Sequence, residues 1–313
     1  MLIATLAEIE QALPGLDLLP AIEDAFARYS AGEAVVPPVG ELLLPGGDVH
    51  IKYGCLAGDP YYVVKIASGF YDNPKLGLPS SNGLMLLCER RTGEPVAVLL
   101  DEGRLTDIRT AVAGAVAAKH VAPSRVRRIG IVGTGIQARL QLAHLSGIGC
   151  RDVLAWGRGE RQLAAYREEM AAAGFDVSVT LDADEILAEC NLVVTTTPAT
   201  VPILRAAALR PGTHVTAVGS DTAAKQELEA GILARADVVV ADSRAQCRER
   251  GEIHHALAAG VLAEDRVVEL GDVIAGRAAG RTTDDQITVA DLTGVAVQDI
   301  AIASAVFDAL RHR

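Results

Sequence analysis

Aromatic residues are scarce in this sequence, at 4% of 313 residues, although half of the residues are hydrophobic. A core of the size that this chain can bury must therefore be built mainly from Ala, Val, Leu and Ile, which is typical of an α/β protein. The length is sufficient for two domains of ordinary size. The sequence contains neither an internal repeat nor a low-complexity segment, which argues against a repeat architecture.

Basic residues are also in deficit, because 29 Lys and Arg face 40 Asp and Glu and give a formal net charge of −11. Nucleic acids and anionic membranes both bind a basic protein face, so neither is expected as a main partner. Net charge does not exclude a small anionic ligand, since a local basic pocket can exist in an acidic protein. We therefore expect a small-molecule partner.

Cysteines are few and scattered, and no two of them have the CxxC spacing of a zinc site or a redox motif. Buried free thiols in a reducing cytoplasm are the expected state. The adjacent His254 and His255 do not share a helix face and have no third ligand at a suitable spacing, so no metal site is expected. The cysteines are Cys55, Cys88, Cys150, Cys190 and Cys247.

The sequence also has no stretch with the composition of a targeting signal or of a membrane-spanning segment. The first basic residue is Arg28, so the apolar N-terminal residues lack the basic flank of a secretory signal. No run approaches the roughly 20 apolar residues that span a membrane. The expected location is the cytoplasm.

The pattern of hydrophobic residues changes near residue 125. Residues 2–30 have helical spacing, and residues 35–100 contain short β-like runs that predict a mixed or antiparallel sheet. A helix is predicted for LTDIRTAVAGAVAAKHVA. After residue 125 strands alternate with helices, and residues 295–312 predict a final helix. The expected fold class is α/β, with a Rossmann-type doubly wound parallel sheet and a smaller α+β domain.

The stretch IGIVGTGIQARL, at residues 129–140, fits the dinucleotide fingerprint G-x-G-x-x-A. Gly133 allows a tight turn, Gly135 lets the backbone approach a pyrophosphate, and Ala138 lets the helix pack close to the strand. The following helix N-terminus supplies N–H donors. Because the motif lies between a strand and a helix, it predicts cofactor binding rather than a glycine turn that binds nothing. Thr134, Ile136 and Gln137, which lie between these three residues, are also expected to contact the cofactor.

The second predicted strand of this region ends in VLAWGRGER, where domains that prefer NAD usually have Asp or Glu. Here Arg158 follows Gly157, and Glu160 and Arg161 come only later. An arginine at this position suits a 2′-phosphate, so NADP(H) is favoured and NAD(H) remains possible. The alternative is that Arg158 is a solvated surface charge.

Two later strands end in polar loops, Thr195-Thr196-Thr197-Pro198 and Gly219-Ser220-Asp221. Ligands of a doubly wound sheet bind at the carboxyl ends of its strands, so these loops and the glycine turn are expected to line one crevice. Asp221 would then lie near the nicotinamide, where a carboxylate can exchange protons with an amine or a water. Alternatively, Asp221 is the N-cap of a following helix.

The N-terminal region contains three candidate cations, Lys52, Lys65 and Arg109. A lysine and an arginine that converge on a carboxylate bind amino and keto acids well. Arg109 lies near the start of its predicted helix, which is an unfavourable position for a cation unless it meets an anion. The alternative for each of the three is a surface or structural role.

Six stretches in order make the chain resemble the ornithine cyclodeaminase/mu-crystallin family over nearly its whole length. They are VVKIASGFYDNPKLGLPSSNG, TGEPVAVLLDEGRLTDIRTAVAGAVAA, GIVGTGIQAR, VGSDTAAKQEL, GEIHHALAAG and LTGVAVQDIAIA. The resemblance implies a substrate-binding and dimerisation domain at residues 1–118 and 296–313, and an NAD(P)-binding Rossmann domain at 119–295. It also implies a homodimer that uses NAD(H) or NADP(H) and transfers a hydride at Cα of an α-amino or α-imino acid.

The resemblance also assigns roles to single residues. Lys65 and Arg109 match the carboxylate-binding Lys and Arg of the family, with Lys65 also a catalytic candidate, and Asp221 matches its acid/base aspartate. Lys225 and Glu227 complete the same motif and are expected to be structural. The chain departs from the family at Pro38-Val39, where many members have Pro-Arg and use that arginine to bind the substrate carboxylate. Lys52 is the candidate substitute.

The loop around Asp221 is similar to that of the cyclodeaminase and alanine dehydrogenase branches. We therefore expect an ornithine cyclodeaminase-like enzyme that acts on ornithine or a related amino acid. Three alternatives remain: a ketimine reductase, an alanine dehydrogenase-type enzyme, and an NADP(H)-binding protein without catalysis.

Overall fold

A computed structural model of the chain describes residues 1–70 and 72–312. Tyr71, Arg313 and the side chain of Pro74 lie outside the described part, so the expected domain segment 296–313 is described as far as residue 312. The chain divides into two compact units. Unit 1 is Met1–Arg109 with Val295–Arg313, and unit 2 is Thr110–Gly294.

The strands and helices have the following bounds. The strands are β1 Leu2–Thr5, β2 Ala34–Val35, β3 Gly40–Leu44, β4 Gly47–Leu56, β5 Tyr61–Phe70, β6 Ser81–Glu89, β7 Pro95–Leu100, β8 Ile129–Val132, β9 Asp152–Trp156, β10 Asp176–Thr180, β11 Leu192–Thr195, β12 His214–Ala217, β13 Val238–Ala241, β14 Val267–Glu269 and β15 Thr288–Asp291. The α-helices are α1 Leu6–Ala12, α2 Leu18–Ser30, α3 Arg104–Val121, α4 Ile136–His144, α5 Glu160–Ala172, α6 Ala183–Glu189, α7 Ala230–Arg235, α8 Arg244–Cys247, α9 Gly251–Ala258, α10 Leu270–Ile274 and α11 Ala296–Arg311.

Unit 1 contains a seven-stranded sheet in the order β1-β7-β6-β5-β4-β2, with β3 paired to β4. Only the β1–β7 pair is parallel among the strands that the structure describes here, so the sheet is mixed, as the short β-like runs predict. Helix α11 contacts β4, β5 and β6 and lies against α2. The C-terminal helix therefore covers the inner face of the sheet, where Val63, Met85 and Leu87 form part of the core.

The outer face of this sheet is apolar. Strand β4 alternates between buried and exposed residues, because successive side chains point to opposite faces. Ile51, Tyr53, Ile66 and Leu100 point outward and are 38–40% exposed. Ile51 pairs with Ile66 across β4 and β5, and Ile66 pairs with Leu84 on β6, the strand next to β7. These side chains form an apolar surface across the sheet, which we call the outer face.

Unit 2 is built on an eight-stranded parallel sheet in the order β10-β9-β8-β11-β12-β15-β13-β14. Every residue of β8, β11, β12 and β15 is buried. Both faces of these central strands are thus covered, as expected of apolar, β-branched runs in a doubly wound sheet. The structure confirms the predicted α/β fold class with a Rossmann-type parallel sheet.

Helix α3 crosses the division between the units. The division falls after Arg109, within the helix, whereas the sequence analysis set the first boundary after residue 118 of the same helix. Within residues 1–70 and 72–312, no helix combines the length and the hydropathy that crossing a membrane requires.

Candidate functional site

A glycine turn joins β8 to α4 in unit 2. Gly133 has a φ of +118°, which residues with a side chain rarely adopt, and a Cβ there would lie 2.6 Å from Oγ1 of Thr196. Gly135 is the N-cap of α4. Apart from Gly135 itself and its two chain neighbours, no described residue has an atom within 4 Å of the position that a Cβ would take on Gly135. The bare backbone and the first N–H groups of α4 thus form an open cradle that fits a pyrophosphate.

A cavity of about 330 Å³ opens beside this turn, at the carboxyl ends of β8, β9 and β11. Among the described residues, its lining contains no Asp or Glu, so phosphate groups would meet no carboxylate repulsion there. The concave shape and the glycine cradle together fit a dinucleotide. The lining residues are Gly133, Thr134, Gly135, Trp156, Gly157, Arg158, Thr196, Thr197, Pro198, Ala199 and Ile203.

The turn after β9 lies against the glycine turn. A Cβ on Gly157 would lie 2.9 Å from Cγ2 of Thr134, so only glycine fits there without displacing Thr134. The next residue, Arg158, lines the cavity and is exposed. The indole Nε1 of Trp156 donates a hydrogen bond to the carbonyl of Leu181 at 3.0 Å, which fixes the ring at the cavity wall.

The structure brings six of the twelve proposed cofactor-binding residues into the lining of this cavity: Gly133, Thr134, Gly135, Arg158, Thr196 and Thr197. Ala138 is buried instead, and Ile136 is 48% exposed outside the lining. Gln137, Thr195, Gly219 and Ser220 are also outside the lining.

Five lining residues were not among the twelve proposed cofactor-binding residues: Trp156, Gly157, Pro198, Ala199 and Ile203. The first four lie in or next to motifs that the sequence analysis used, and Pro198 belongs to a loop that was expected to line the crevice. Ile203 has no local signal, because it reaches the wall through a backbone hydrogen bond to the carbonyl of Glu227.

Arg139, near the start of α4, makes hydrogen bonds to the backbone of the glycine turn. Its guanidinium donates to the carbonyl oxygen of Gly135 at 3.0 Å and also to that of Thr134. Nε lies 2.5 Å from a carboxylate oxygen of Glu169, and the guanidinium carbon lies 5.5 Å from the ring centre of Tyr166. These contacts hold the carbonyl groups of the turn toward Arg139, which restricts the conformations of the backbone beside the cavity.

The loop after β12 contains the candidate acid/base residue Asp221. Nζ of Lys225 donates to its carboxylate at 2.6 Å, and Arg250 donates to its backbone carbonyl at 3.2 Å. The Asp221 side chain is 37% exposed, so it has access to solvent. Residues 221–229 form no helix in the described structure, which overturns the alternative that Asp221 is a helix N-cap.

Two buried glutamates lie beneath this loop. Glu227 accepts hydrogen bonds from Thr195, Thr197 and Gly219, and Glu252 on α9 accepts from the backbone of Glu227. Burial raises the pKa of Glu227 to about 7, although the hydrogen bonds oppose this rise. Burial likewise raises the pKa of Glu252 to about 8. Thr195 and Gly219 therefore donate to the buried carboxylate of Glu227 and do not line the cavity.

The three candidate cations of unit 1 are all buried, so the surface alternative is wrong for Lys52, Lys65 and Arg109. Lys52 on β4 and Lys65 on β5 are cross-strand partners. Nζ of Lys65 donates to Oδ1 of Asp299 at 3.0 Å, and Nε of Arg109 lies 2.9 Å from the same oxygen. Arg109 also donates to the side-chain oxygen of Gln298 at 2.9 Å. We call Lys52, Lys65, Arg109 and Asp299 the cation cluster.

The pKa values of Lys65 and Asp299 are both lowered, but for different reasons. Burial, with repulsion from Arg109, lowers the pKa of Lys65 to about 7, although Asp299 opposes this change. For Asp299, attraction to Lys65, Arg109 and Lys52 outweighs burial and lowers its pKa. Asp101 is another buried carboxylate that Lys65 influences, and burial raises its pKa.

The parallel sheet and the glycine cradle define a dinucleotide-binding protein of the Rossmann class. The profile of the ornithine cyclodeaminase/mu-crystallin family matches residues 1–313. The chain belongs to this family.

Three similar proteins illustrate the range of the family. A Sinorhizobium fredii protein described as an uncharacterized cyclodeaminase is 45% identical, with 100% of this chain and 97% of that protein covered. An archaeal alanine dehydrogenase dimer with bound NAD is 34% identical, with a TM-score of 0.91 and 100% and 96% of the two chains covered. Thermococcus litoralis Δ1-pyrroline-2-carboxylate reductase, in complex with NADH and L-proline, is 26% identical, with a TM-score of 0.93 and 100% and 98% covered.

Proposed function

We propose that this protein is an NAD(P)-dependent enzyme that interconverts an α-imino acid and an α-amino acid by hydride transfer at Cα. The observation that carries this proposal is the convergence of two buried cations, Lys65 and Arg109, on one carboxylate oxygen of Asp299 in unit 1. A buried lysine and arginine placed side by side can also bind a substrate carboxylate by charged hydrogen bonds. The dinucleotide cavity of unit 2 supports the redox part of the proposal.

The chain's residues divide the work as follows. The glycine cradle and Arg158 would hold the cofactor, which supplies or takes the hydride when it is bound. Lys65 and Arg109 would bind the substrate carboxylate by charged hydrogen bonds and fix the orientation of Cα, with Lys52 as a further cation. Asp221 would exchange a proton with the substrate nitrogen. Lys225, 2.6 Å from Asp221, would keep that carboxylate oriented.

NADP(H) is the cofactor that we propose, with NAD(H) as the alternative. Arg158 lines the cavity after β9, and no carboxylate of the described residues lines it to accept the ribose hydroxyls of NAD. The two similar solved structures contain NAD and NADH, respectively. The choice therefore depends on whether Arg158 contacts a 2′-phosphate.

Cyclodeamination of ornithine or a related diamino acid is the second candidate. The Asp221 loop and the Sinorhizobium relative favour it. The cation cluster opposes it, because its buried cations would repel the second ammonium group of ornithine. We therefore favour a substrate whose side chain is neutral or anionic.

We also propose that the protein forms a homodimer through the outer face of unit 1. This face exposes Ile51, Tyr53, Ile66 and Leu100 side by side, and a continuous apolar surface of this kind usually marks an interface. The similar archaeal alanine dehydrogenase is a dimer.

The proposed function can be tested by absorbance at the nicotinamide band. NADPH and NADH are each offered with Δ1-pyrroline-2-carboxylate, with pyruvate and ammonia, and with oxaloacetate and ammonia. Oxidation of the cofactor by one of these substrates is the expected result. Ornithine with NADP or NAD is followed by proline and ammonia release, because cyclodeamination causes no net redox change.

Each outcome of this assay has one meaning. Proline formation without imine reduction would replace our proposal by the cyclodeaminase. Tight cofactor binding without any turnover would favour an NADP(H)-binding protein without catalysis.

A further inference from the structure

Glu227 links two loops at the carboxyl ends of β11 and β12. It is fully buried, and each of its carboxylate oxygens accepts two hydrogen bonds. Oε2 accepts from the Thr195 hydroxyl at 2.7 Å and from the Gly219 amide at 2.9 Å. Oε1 accepts from the amide of Thr197 at 2.6 Å and from its hydroxyl at 2.8 Å. Four donors thus converge on one side chain.

The backbone of the same segment holds the rest of the cavity wall. The amide of Gln226 donates to the carbonyl of Ala199 at 2.7 Å, and the amide of Ile203 donates to the carbonyl of Glu227 at 2.7 Å. Thr197, Ala199 and Ile203 all line the dinucleotide cavity. The wall between residues 197 and 203 is therefore attached to residues 226 and 227 at three points.

The backbone at Glu227 is itself held by a second buried glutamate, Glu252. Glu252 accepts from the amide of Glu227 at 2.7 Å and from that of Leu228 at 3.0 Å. The fit above it is tight, because a Cβ on Gly219 would lie 2.5 Å from the amide nitrogen of Thr197 and 2.6 Å from Oε2 of Glu227. The carboxylate of Glu227 thus has little freedom to move.

We propose that Glu227 is a positioning residue for the dinucleotide: it holds the 197–203 wall in the conformation that binds the cofactor. The proposal rests on the cofactor binding proposed above and extends it to a residue that does not itself line the cavity. A carboxylate is required because each of its two oxygens accepts from a backbone amide, which can only donate: Oε1 from Thr197 and Oε2 from Gly219. A glutamine would present an amide NH₂ to at least one of these donors and leave it unpaired.

The test compares Glu227→Gln with Glu229→Gln by titration with NADPH and with NADH, followed by cofactor fluorescence. Glu229 is the control variant. Its side chain also accepts a backbone hydrogen bond, from the amide of Ala206 at 2.6 Å, and Glu229, like Glu227, lies outside the cavity lining. We expect Glu227→Gln to weaken binding of the preferred cofactor roughly tenfold or more, and Glu229→Gln to leave it unchanged.

A second variant guards against failure of Glu227→Gln to fold. Thr195→Val keeps the shape of a fully buried side chain and removes one hydroxyl donor to Glu227. Thr195 is outside the cavity lining, so we expect cofactor binding to weaken a few-fold through Glu227 alone. In the folded double variant, Glu227→Gln with Thr195→Val, the two losses of binding free energy should not add, because both substitutions remove the same Thr195–Glu227 hydrogen bond. Additive losses would contradict the mechanism.

A further readout separates positioning from general stability. Hydrogen exchange at the Thr197 amide should accelerate in Glu227→Gln, while the amides of β8 and β12 remain protected. If folded Glu227→Gln binds the cofactor as tightly as the wild type, the positioning role of Glu227 is wrong, while the proposed function stands. If Glu227→Gln does not fold, wild-type affinity in Thr195→Val leads to the same conclusion. A wild-type protein that binds neither cofactor would overturn both this inference and the proposed function.

Discussion

Nζ of Lys65 lies 3.0 Å from both carboxylate oxygens of Asp299, although 234 residues separate them in the chain. Arg109 lies 2.9 Å from one of the same oxygens. The last helix, α11, thus supplies the counter-charge for two buried cations of unit 1. We expect the folded protein to depend on this carboxylate for stability, apart from any role in substrate binding.

We therefore expect Asp299→Asn to destabilise the protein by about 3–5 kcal/mol, since it leaves Lys65 and Arg109 buried without a charged partner. Denaturant unfolding measures this change. Asp308→Asn is the control, because Asp308 is exposed on the same helix. A loss of stability no greater than that of the control would show that the cluster needs no counter-charge.

The pKa of Lys65, about 7, predicts a pH dependence of substrate binding. Below this pH the ammonium is charged and can bind a carboxylate, and as the pH rises through about 7 that charge is lost. Binding of a substrate carboxylate should weaken by roughly ten- to a hundredfold over this range, measured by calorimetry. Lys65→Arg keeps its charge and should abolish the pH dependence. An equal dependence in that variant would assign it to another group.

Arg158 should decide between the two cofactors. If it contacts the 2′-phosphate, Arg158→Ala removes charged hydrogen bonds and weakens NADPH binding by roughly ten- to a hundredfold, while NADH binding is unchanged. Arg161→Ala is the control, because Arg161 is exposed and outside the cavity lining. Equal losses for both cofactors in Arg158→Ala would mean that it binds a group common to the two.

Asp221→Asn should separate chemistry from cofactor binding. A neutral amide cannot exchange a proton with the substrate nitrogen, so kcat should fall by roughly 10²–10⁴-fold. Asp221 is outside the cavity lining, and the dissociation constant of the cofactor should not change. Steady-state kinetics and a cofactor titration measure the two quantities. Turnover equal to that of the wild type would remove Asp221 from the mechanism.

The outer face of unit 1 predicts the oligomeric state. Ile66→Asp places a charge in the middle of this apolar surface, which would be desolvated in a dimer, so we expect a monomer in sedimentation experiments. Val261→Asp also charges an exposed apolar position, 42% exposed, but lies in unit 2 and should leave the dimer intact. A dimeric Ile66→Asp variant would place the interface elsewhere.

Local patterns made much of the fold predictable. The parallel sheet follows from apolar runs that alternate with helices, and the glycine turn follows from three residues within six positions. The cavity lining was only half predicted, because a fingerprint defines the turn and not the walls around it. Ile203 lines the cavity through a bond to Glu227, which no spacing in the sequence indicates.

The sequence by itself determined the fold class and the position of the dinucleotide turn, since each depends on residues close together in the chain. It also named Lys52, Lys65 and Arg109 as candidate cations, but it left their burial open. Tertiary structure alone decided what surrounds the charged groups. Asp299 as the partner of Lys65, and Glu227 as the support of the loops after β11 and β12, depend on burial and on contacts between distant segments. Burial sets the cost of an unpaired charge, and only the folded chain determines which groups are buried together.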